Sequence, residues 1–208
     1  MSPTRPWFVA LEGGEGSGKS TQAARLAEHL GAVATREPGG TAVGAQLRRL
    51  LLDPATGVLD PRAELLLMAA DRAQHVAEVV RPALSEGHHV VTDRSAWSSL
   101  AYQGYGRGLD VEEVWRVCDW ATDGCWPDLA VLLDVAGEVA AARLSGQPDR
   151  FEDEAAAFHD RVREGFRRLA ADHADRWVVV DGEGAVDEVA ARVLAAVEAR
   201  LGRGEARP

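Results

Sequence analysis

The chain has 208 residues, of which 46% are hydrophobic and 27% charged, with a net charge of −10. That length suits one domain, 1–208, with a substantial core, and the composition excludes a disordered chain. The acidic balance argues against a general nucleic-acid or anionic-membrane surface, so phosphate, if bound, must be held locally by loops and selected arginines.

The first strand is the apolar run Trp7-Phe8-Val9-Ala10-Leu11. Gly13-Gly14-Glu15-Gly16-Ser17-Gly18-Lys19-Ser20 follows it, and a helical pattern runs from Gln22 to Leu30. Strand, glycine-rich loop and helix in this order fit G-x-x-x-x-G-K-[ST], in which backbone N–H groups and a helix N-terminus surround phosphate oxygens. Gly13 to Thr21 are therefore the nucleotide-binding candidates. Lys19 reaches the β- and γ-phosphates, and the Ser20 hydroxyl holds Mg²⁺. Lys19 is also the only lysine in the chain, every other strongly basic side chain being arginine. A slim ammonium fits where a broad guanidinium does not.

Ala32 to Arg36 reads as a second strand, and Glu37-Pro38-Gly39-Gly40-Thr41 as a loop, with Thr41 capping a helix over Ala42 to Leu52. Asp60-Pro61 opens a long helix expected to run to Glu86. Leu65, Met68, Arg72 and Val76 share one side of it, and the arginine in that row either snorkels at the core edge or faces a ligand. His89 to Thr92 is a third strand ending in Asp93-Arg94, at the strand end where open α/β sheets bind ligands. Asp93 is a candidate to hold or orient Mg²⁺, and Arg94 to grip phosphate. A short helix is expected over Ser95 to Tyr105, offering Ser98, Ser99, Tyr102 and Gln103. Gly104 to Gly108 reads as a flexible loop.

Val111 to Ala121 is read as a helix, Leu129 to Asp134 as a buried strand, and Glu138 to Leu144 as a helix. Ser145 to Arg150 is polar and flanked by Arg143 and Arg150; its composition suits an ordinary surface turn or a mobile lid. Glu152 to Asp172 is expected to be a long amphipathic helix, Trp177 to Asp181 a fifth strand, and Val186 to Leu201 the final helix, with Gly202 to Pro208 frayed. Repeated alternation of strand and helix predicts an α/β fold with a five-stranded parallel sheet and helices on both faces. Cys118 and Cys125 are too few for a disulfide framework and read as free thiols. No leader and no membrane-spanning run is evident, so a cytoplasmic location is expected.

From Phe8 to about Leu201 the sequence resembles thymidylate kinase, a P-loop NTPase of the nucleoside-monophosphate-kinase type. The segments that carry the resemblance are Thr35-Arg36-Glu37-Pro38-Gly39-Gly40-Thr41, Ala69-Ala70-Asp71-Arg72, Asp93-Arg94 with Ser98 to Gly104, and Asp149-Arg150-Phe151-Glu152. The resemblance implies ATP as donor and dTMP as acceptor, with Arg94 and Arg36 at the dTMP phosphate. Arg72 is implied at a thymine carbonyl, assisted by Arg48, and Pro38 in the same substrate site. Ser98, Ser99 and Gln103 would face the nucleotide, Tyr102 would sit beside C2′, and Glu15 would meet the sugar or the acceptor phosphate. Glu15-Gly16-Ser17 holds no basic residue, so the catalytic arginine is expected from a lid over 143–152, with Arg150 first and Arg143 second, as in the bacterial branch. Met68 stands where the family usually has a phenylalanine stacking on thymine. A homodimer is implied, with contacts from the helices after strands 2 and 3.

The competing readings are another small-molecule P-loop kinase, a nucleotide-switch GTPase and a weakly catalytic nucleotide-binding regulator. The GTPase would need a guanine-reading N-K-x-D segment, and the chain contains no asparagine. Nothing in the residues supports the regulator.

Overall fold

The computed structural model describes residues 5–144 and 147–204. Ser145 and Gly146 of the expected lid, and residues 205–208 of the tail, lie outside the described residues. Five strands form one sheet: β1 (Phe8–Glu12), β2 (Val33–Arg36), β3 (Val90–Asp93), β4 (Leu129–Asp134) and β5 (Trp177–Asp181). Their order is β2-β3-β1-β4-β5, and every neighbouring pair is parallel. No described helix is long and apolar enough to cross a membrane.

Both faces of the sheet are covered, which is why β1 and β4 read as nearly continuous apolar runs. One face buries Val9, Leu11, Leu129, Val131 and Leu133 against α1 (Lys19–Leu30) and α9 (Val186–Gly204). The helix α9 thus continues past Leu201, where the sequence suggested fraying. The other face buries Ala130 and Leu132 beneath α5 (Ala96–Ser99), α6 (Val111–Thr122) and α8 (Ala156–Asp172). Trp97 is the centre of that layer. It is fully buried and lies 4.9 to 5.4 Å, ring to ring, from Trp115, Trp126 and Trp177.

Three further predicted elements differ in detail. The long helix after Asp60 is present as α3 (Pro61–His75) and α4 (Arg81–Ser85), joined by a π turn over Val76–Val80. Pro82 has no N–H to give, and the Arg81 N–H reaches the Val76 carbonyl five residues back, so the widened turn carries the rod past the proline. The stretch read as a loop around Gly104 is instead a π-helical segment, Leu100–Gly106, continuing α5. Its glycines serve close packing: a Cβ on Gly106 would lie 2.7 Å from the Phe158 ring and 2.9 Å from Val162 on α8. Finally, α8 begins at Ala156 rather than Glu152, because Asp149 Oδ1 accepts the backbone N–H groups of Phe151 and Glu152 and folds that stretch into a turn. The remaining helices are α2 (Ala42–Leu52), capped by Thr41 as expected, and α7 (Gly137–Arg143).

The Trp97 indole N–H has no partner, so its contribution is packing alone. Trp97→Ala is expected to cost about 3–5 kcal/mol and Trp97→Phe distinctly less. Urea unfolding of both variants measures this; equal losses would mean that the indole N–H matters after all.

Candidate active site

The ends of β1 and β3 bring the first reactive groups together. Parallel register sets Asp93 level with Leu11 on one side and Arg36 on the other. At the end of β1 the chain turns into the glycine loop, with Gly16 at φ 71°. A Cβ there would sit 2.8 Å from the Ala140 carbonyl carbon, so α7 lies directly against the loop and only glycine fits. Lys19 is buried, and its Nζ donates to the Gly14 carbonyl at 2.8 Å. Burial, then the nearby Arg94 charge, push its pKa below the ordinary lysine range. Ser20 Oγ donates to Asp93 Oδ2 at 2.5 Å, while Asp93 Oδ1 is buried without a partner.

Arg94 occupies the left-handed region, φ 71°, uncommon for a residue with a side chain. Its backbone N–H bonds the Leu11 carbonyl, tying the turn to β1. The guanidinium then reaches Gly13 O (3.0 Å), Ser98 Oγ (3.3 Å), Glu15 Oε1 (2.5 Å) and Tyr102 Oη (2.9 Å). Burial alone would disfavour its charge, but Glu15 and its neighbours reverse this and raise its pKa. On Glu15 burial likewise opposes charge; Arg94 and Lys19 overcome it and hold the carboxyl down at about 2. The site therefore carries a permanent cation with a carboxylate already on it.

A second buried arginine lies deeper. Arg72 donates from Nε to Glu37 Oε2 at 2.8 Å, from Nη1 to Ser99 Oγ at 3.2 Å and from Nη2 to the Ser95 carbonyl at 3.1 Å. Glu37 is held in turn by His75 Nδ1 at 2.8 Å, and the other ring nitrogen meets Thr35 Oγ1 at 2.7 Å. The arginine on the helix row does not snorkel at the core edge: Arg72 is buried, and with Met68, Ser99, Gln103, Tyr102 and Arg94 it lines one recess. Glu15, Pro38, Arg48 and Ser98 border it too, Arg48 through a bond to the Pro38 carbonyl at 2.9 Å. Its free volume is about 70 Å³. Arg36 lies outside it, in an adjoining cavity with Ser20, Asp93 and Arg48.

The two arginines flanking the expected lid are placed differently. Arg150 sits in the turn between α7 and α8 with its side chain directed inward: Nε donates to the Leu51 carbonyl at 2.7 Å and Nη2 to Glu64 at 2.6 Å. Arg143 ends α7, the helix that touches Gly16, and its Nη1 donates to the Gly182 carbonyl at 3.0 Å.

Sequence reasoning missed three buried carboxylates, Glu12, Glu37 and Glu64. A signal existed for Glu64, since Glu64, Met68 and Arg72 repeat every four residues along α3. Glu12, at the end of β1, accepts from Ser95 Oγ and Ser98 Oγ, both at 2.6 Å. It thereby fixes the start of α5, which supplies contacts to both Arg72 and Arg94.

Burial pushes the Glu12 pKa up from 4.5 to about 7, against the two serine bonds and Arg94. The folded state thus binds this proton more tightly than the unfolded chain does. The resulting stabilisation is complete below about pH 4.5 and is lost as pH rises through 7. Between pH 5 and 8 the wild type should lose on the order of 3 kcal/mol relative to Glu12→Gln. Urea unfolding at both pH values tests this, and a pH-independent difference would refute it. Asp71, raised to about 6 by burial and then Glu37, is common to both proteins and cancels.

A thymidylate kinase family model matches residues 11–193. The thymidylate kinase of Halothermothrix orenii is 47% identical over 195 residues, covering 89% of this chain and 93% of that protein. That of Synechococcus sp. (strain JA-3-3Ab) is 51% identical, covering 97% and 100%. The crystal structure of thymidylate kinase from Ehrlichia chaffeensis superposes with a TM-score of 0.77 at 31% identity, covering 92% of this chain and 98% of that one. The chain belongs to the thymidylate kinase family.

Proposed function

We propose that the chain transfers the γ-phosphoryl group of ATP to dTMP, giving dTDP and ADP for dTTP synthesis. The observation that carries this reading is a single recess joining Arg94, at the edge of the phosphate loop, to a polar pocket formed by Arg72, Ser99 and Gln103. An anion grip and a base-reading wall are thus side by side. Gly13 to Thr21 wrap the ATP phosphates, and Lys19 neutralises the β and γ groups. Arg94, with Arg36, takes the acceptor phosphate. Arg72 and Arg48 serve the base side, Met68 covers the ring, and Tyr102 and Glu15 border the sugar.

Mg²⁺ fits the residues present. Ser20 and Asp93 face each other, and Asp93 Oδ1 is a buried acceptor without a partner. Ser20 and Asp93 would hold the ion, and the described residues contain no cluster of three or more carboxylate, imidazole or thiol groups. When bound, the ion neutralises charge on the transferred and leaving phosphates. The chain's own part is positioning and charge stabilisation, because phosphoryl transfer asks for little covalent chemistry. We assign the transition-state arginine to Arg143, since α7 abuts the phosphate loop and Arg143 is held by the neutral Gly182 carbonyl, whereas Arg150 is paired with the Glu64 carboxylate and bonded to Leu51.

A homodimer in the cytoplasm completes the reading. Val43 and Leu50 on α2, Leu66 on α3 and Trp120 on α6 are exposed, Trp120 to 83%, and an apolar set on adjoining helices suits a subunit contact. Cys118 and Cys125 are free thiols, as a reducing compartment keeps them.

A coupled assay with Mg-ATP against dTMP, dUMP, UMP, CMP, AMP and GMP tests the function. Preference for dTMP is expected; dUMP turnover equal to it would trace to Met68 in place of an aromatic, and no turnover of any would refute the reading. Separately, Arg143→Ala should lower kcat at least tenfold with little change in the KM for dTMP, while Arg150→Ala should raise that KM. A kcat loss confined to Arg150→Ala would return the catalytic role to Arg150.

A further inference from the structure

Glu64 is wholly buried on α3, yet four donors converge on its two oxygens. Gln103 Nε2 reaches Oε1 at 2.9 Å. Arg107 spans both oxygens, Nε to Oε1 at 3.2 Å and Nη2 to Oε2 at 3.1 Å. Arg150 Nη2 reaches Oε2 at 2.6 Å. Such saturation of a carboxylate between two guanidiniums exceeds what a helix needs to pack.

We propose that Glu64 is a positioning residue that fixes the direction of the Gln103 side-chain amide, so that the base pocket reads the imide edge of thymine and rejects cytosine. This rests on the pocket binding a nucleoside monophosphate at the Arg72 end.

A glutamine amide is ambivalent: it offers a carbonyl acceptor at one pole and an NH₂ donor at the other, and free rotation lets it serve either. Glu64 removes that freedom. A carboxylate facing two guanidiniums only accepts, so Gln103 must turn its NH₂ toward Glu64 and its carbonyl oxygen the other way. Gln103 is one turn beyond Ser99, both are 1% exposed, and both line the recess with Arg72 and Met68. Arg72 supplies donors only, held by Glu37. The wall therefore presents one acceptor and fixed donors. Thymine complements it with its N3–H donor and O4 acceptor. Cytosine reverses both groups, bringing N3 against the Gln103 oxygen and its amino group against the guanidinium. In a buried site such mismatches leave polar groups unpaired, the kind of discrimination that outweighs shape selection. Discrimination against cytosine thus resides in Glu64 behind the wall as much as in Gln103.

The test is the ratio of kcat/KM for dTMP to that for dCMP in the full chain, for wild type, Glu64→Asp, Glu64→Gln and Gln103→Leu. Glu64→Gln, which can accept or donate, should lower the ratio at least tenfold, with the dTMP loss falling on KM more than on kcat, and Glu64→Asp should restore part of it. Gln103→Leu should lower the ratio as well. An unchanged ratio in folded Glu64→Gln overturns the role of Glu64, and an unchanged ratio in Gln103→Leu overturns base reading by this amide. Absence of dTMP turnover in the wild type would instead overturn the underlying assignment of substrate. Should Glu64→Gln not fold, the side-chain NH₂ signals of Gln103 in wild type, assigned by their loss in Gln103→Leu, decide the matter by NMR. Continued protection from solvent exchange when dTMP binds supports the proposal; its loss on binding refutes it.

Discussion

A guanidinium removed from water keeps its charge and its aim only where a carboxylate faces it, and the site is organised around that constraint. Arg94 is matched by Glu15, Arg72 by Glu37, and Arg107 and Arg150 by Glu64. Breaking a buried pair of this kind by deleting one partner costs about 3–5 kcal/mol, whereas apolar packing of the same volume is often no less stable. The pairs are therefore poor stabilisers but good locators. Each holds a cation in one orientation before any ligand arrives, and donors that need no reorganisation are the ones that stabilise developing charge best.

The sheet supplies the common edge from which these groups project. Because all strands are parallel, the ends of β1 and β3 open on the same side, and register places Asp93 between Leu11 and Arg36. Arg94 then needs a left-handed backbone to turn its side chain back toward the glycine loop. Its N–H bond to Leu11 and four side-chain contacts hold that conformation. Behind it, the Trp97 cluster anchors α5, and Glu12 pins the first turn of that helix through Ser95 and Ser98. Core packing and site geometry are in this way parts of one layer.

What was legible in the sequence was whatever depends on local spacing. The glycine loop, the strands and the arginine on the α3 row all declare themselves within a turn or two of chain. The features that escaped depend on distant partners. Glu37 means little until His75 and Arg72 are beside it, and Glu12 is silent until Ser95 and Ser98 fold over it. Gly104 to Gly108 suggested flexibility because glycine is permissive, but the missing side chain of Gly106 is what lets α8 approach the π turn. Arg150 sat in a stretch of lid-like composition, and nothing nearby in sequence announces its attachment to Glu64 and the Leu51 carbonyl.

The chain is acidic overall, yet its candidate ligands are anions, and the two facts are compatible only if attraction is short-ranged. Screening removes most of the field of surface charges beyond about 10 Å at 0.1 M salt. Inside the cleft, distances are a few ångströms and the surroundings polarise weakly, so each cation counts for far more. Lys19 illustrates the economy. Its ammonium supports the loop by bonding the Gly14 carbonyl, and burial beside Arg94 makes its charge harder to keep. A phosphate placed in the loop would relieve that cost on the lysine. Binding is then favoured at short range, where Lys19 and Arg94 stand together at the loop and, among the described residues, Lys19 has only neutral hydrogen-bond partners, the Gly14 carbonyl and the Ser17 hydroxyl.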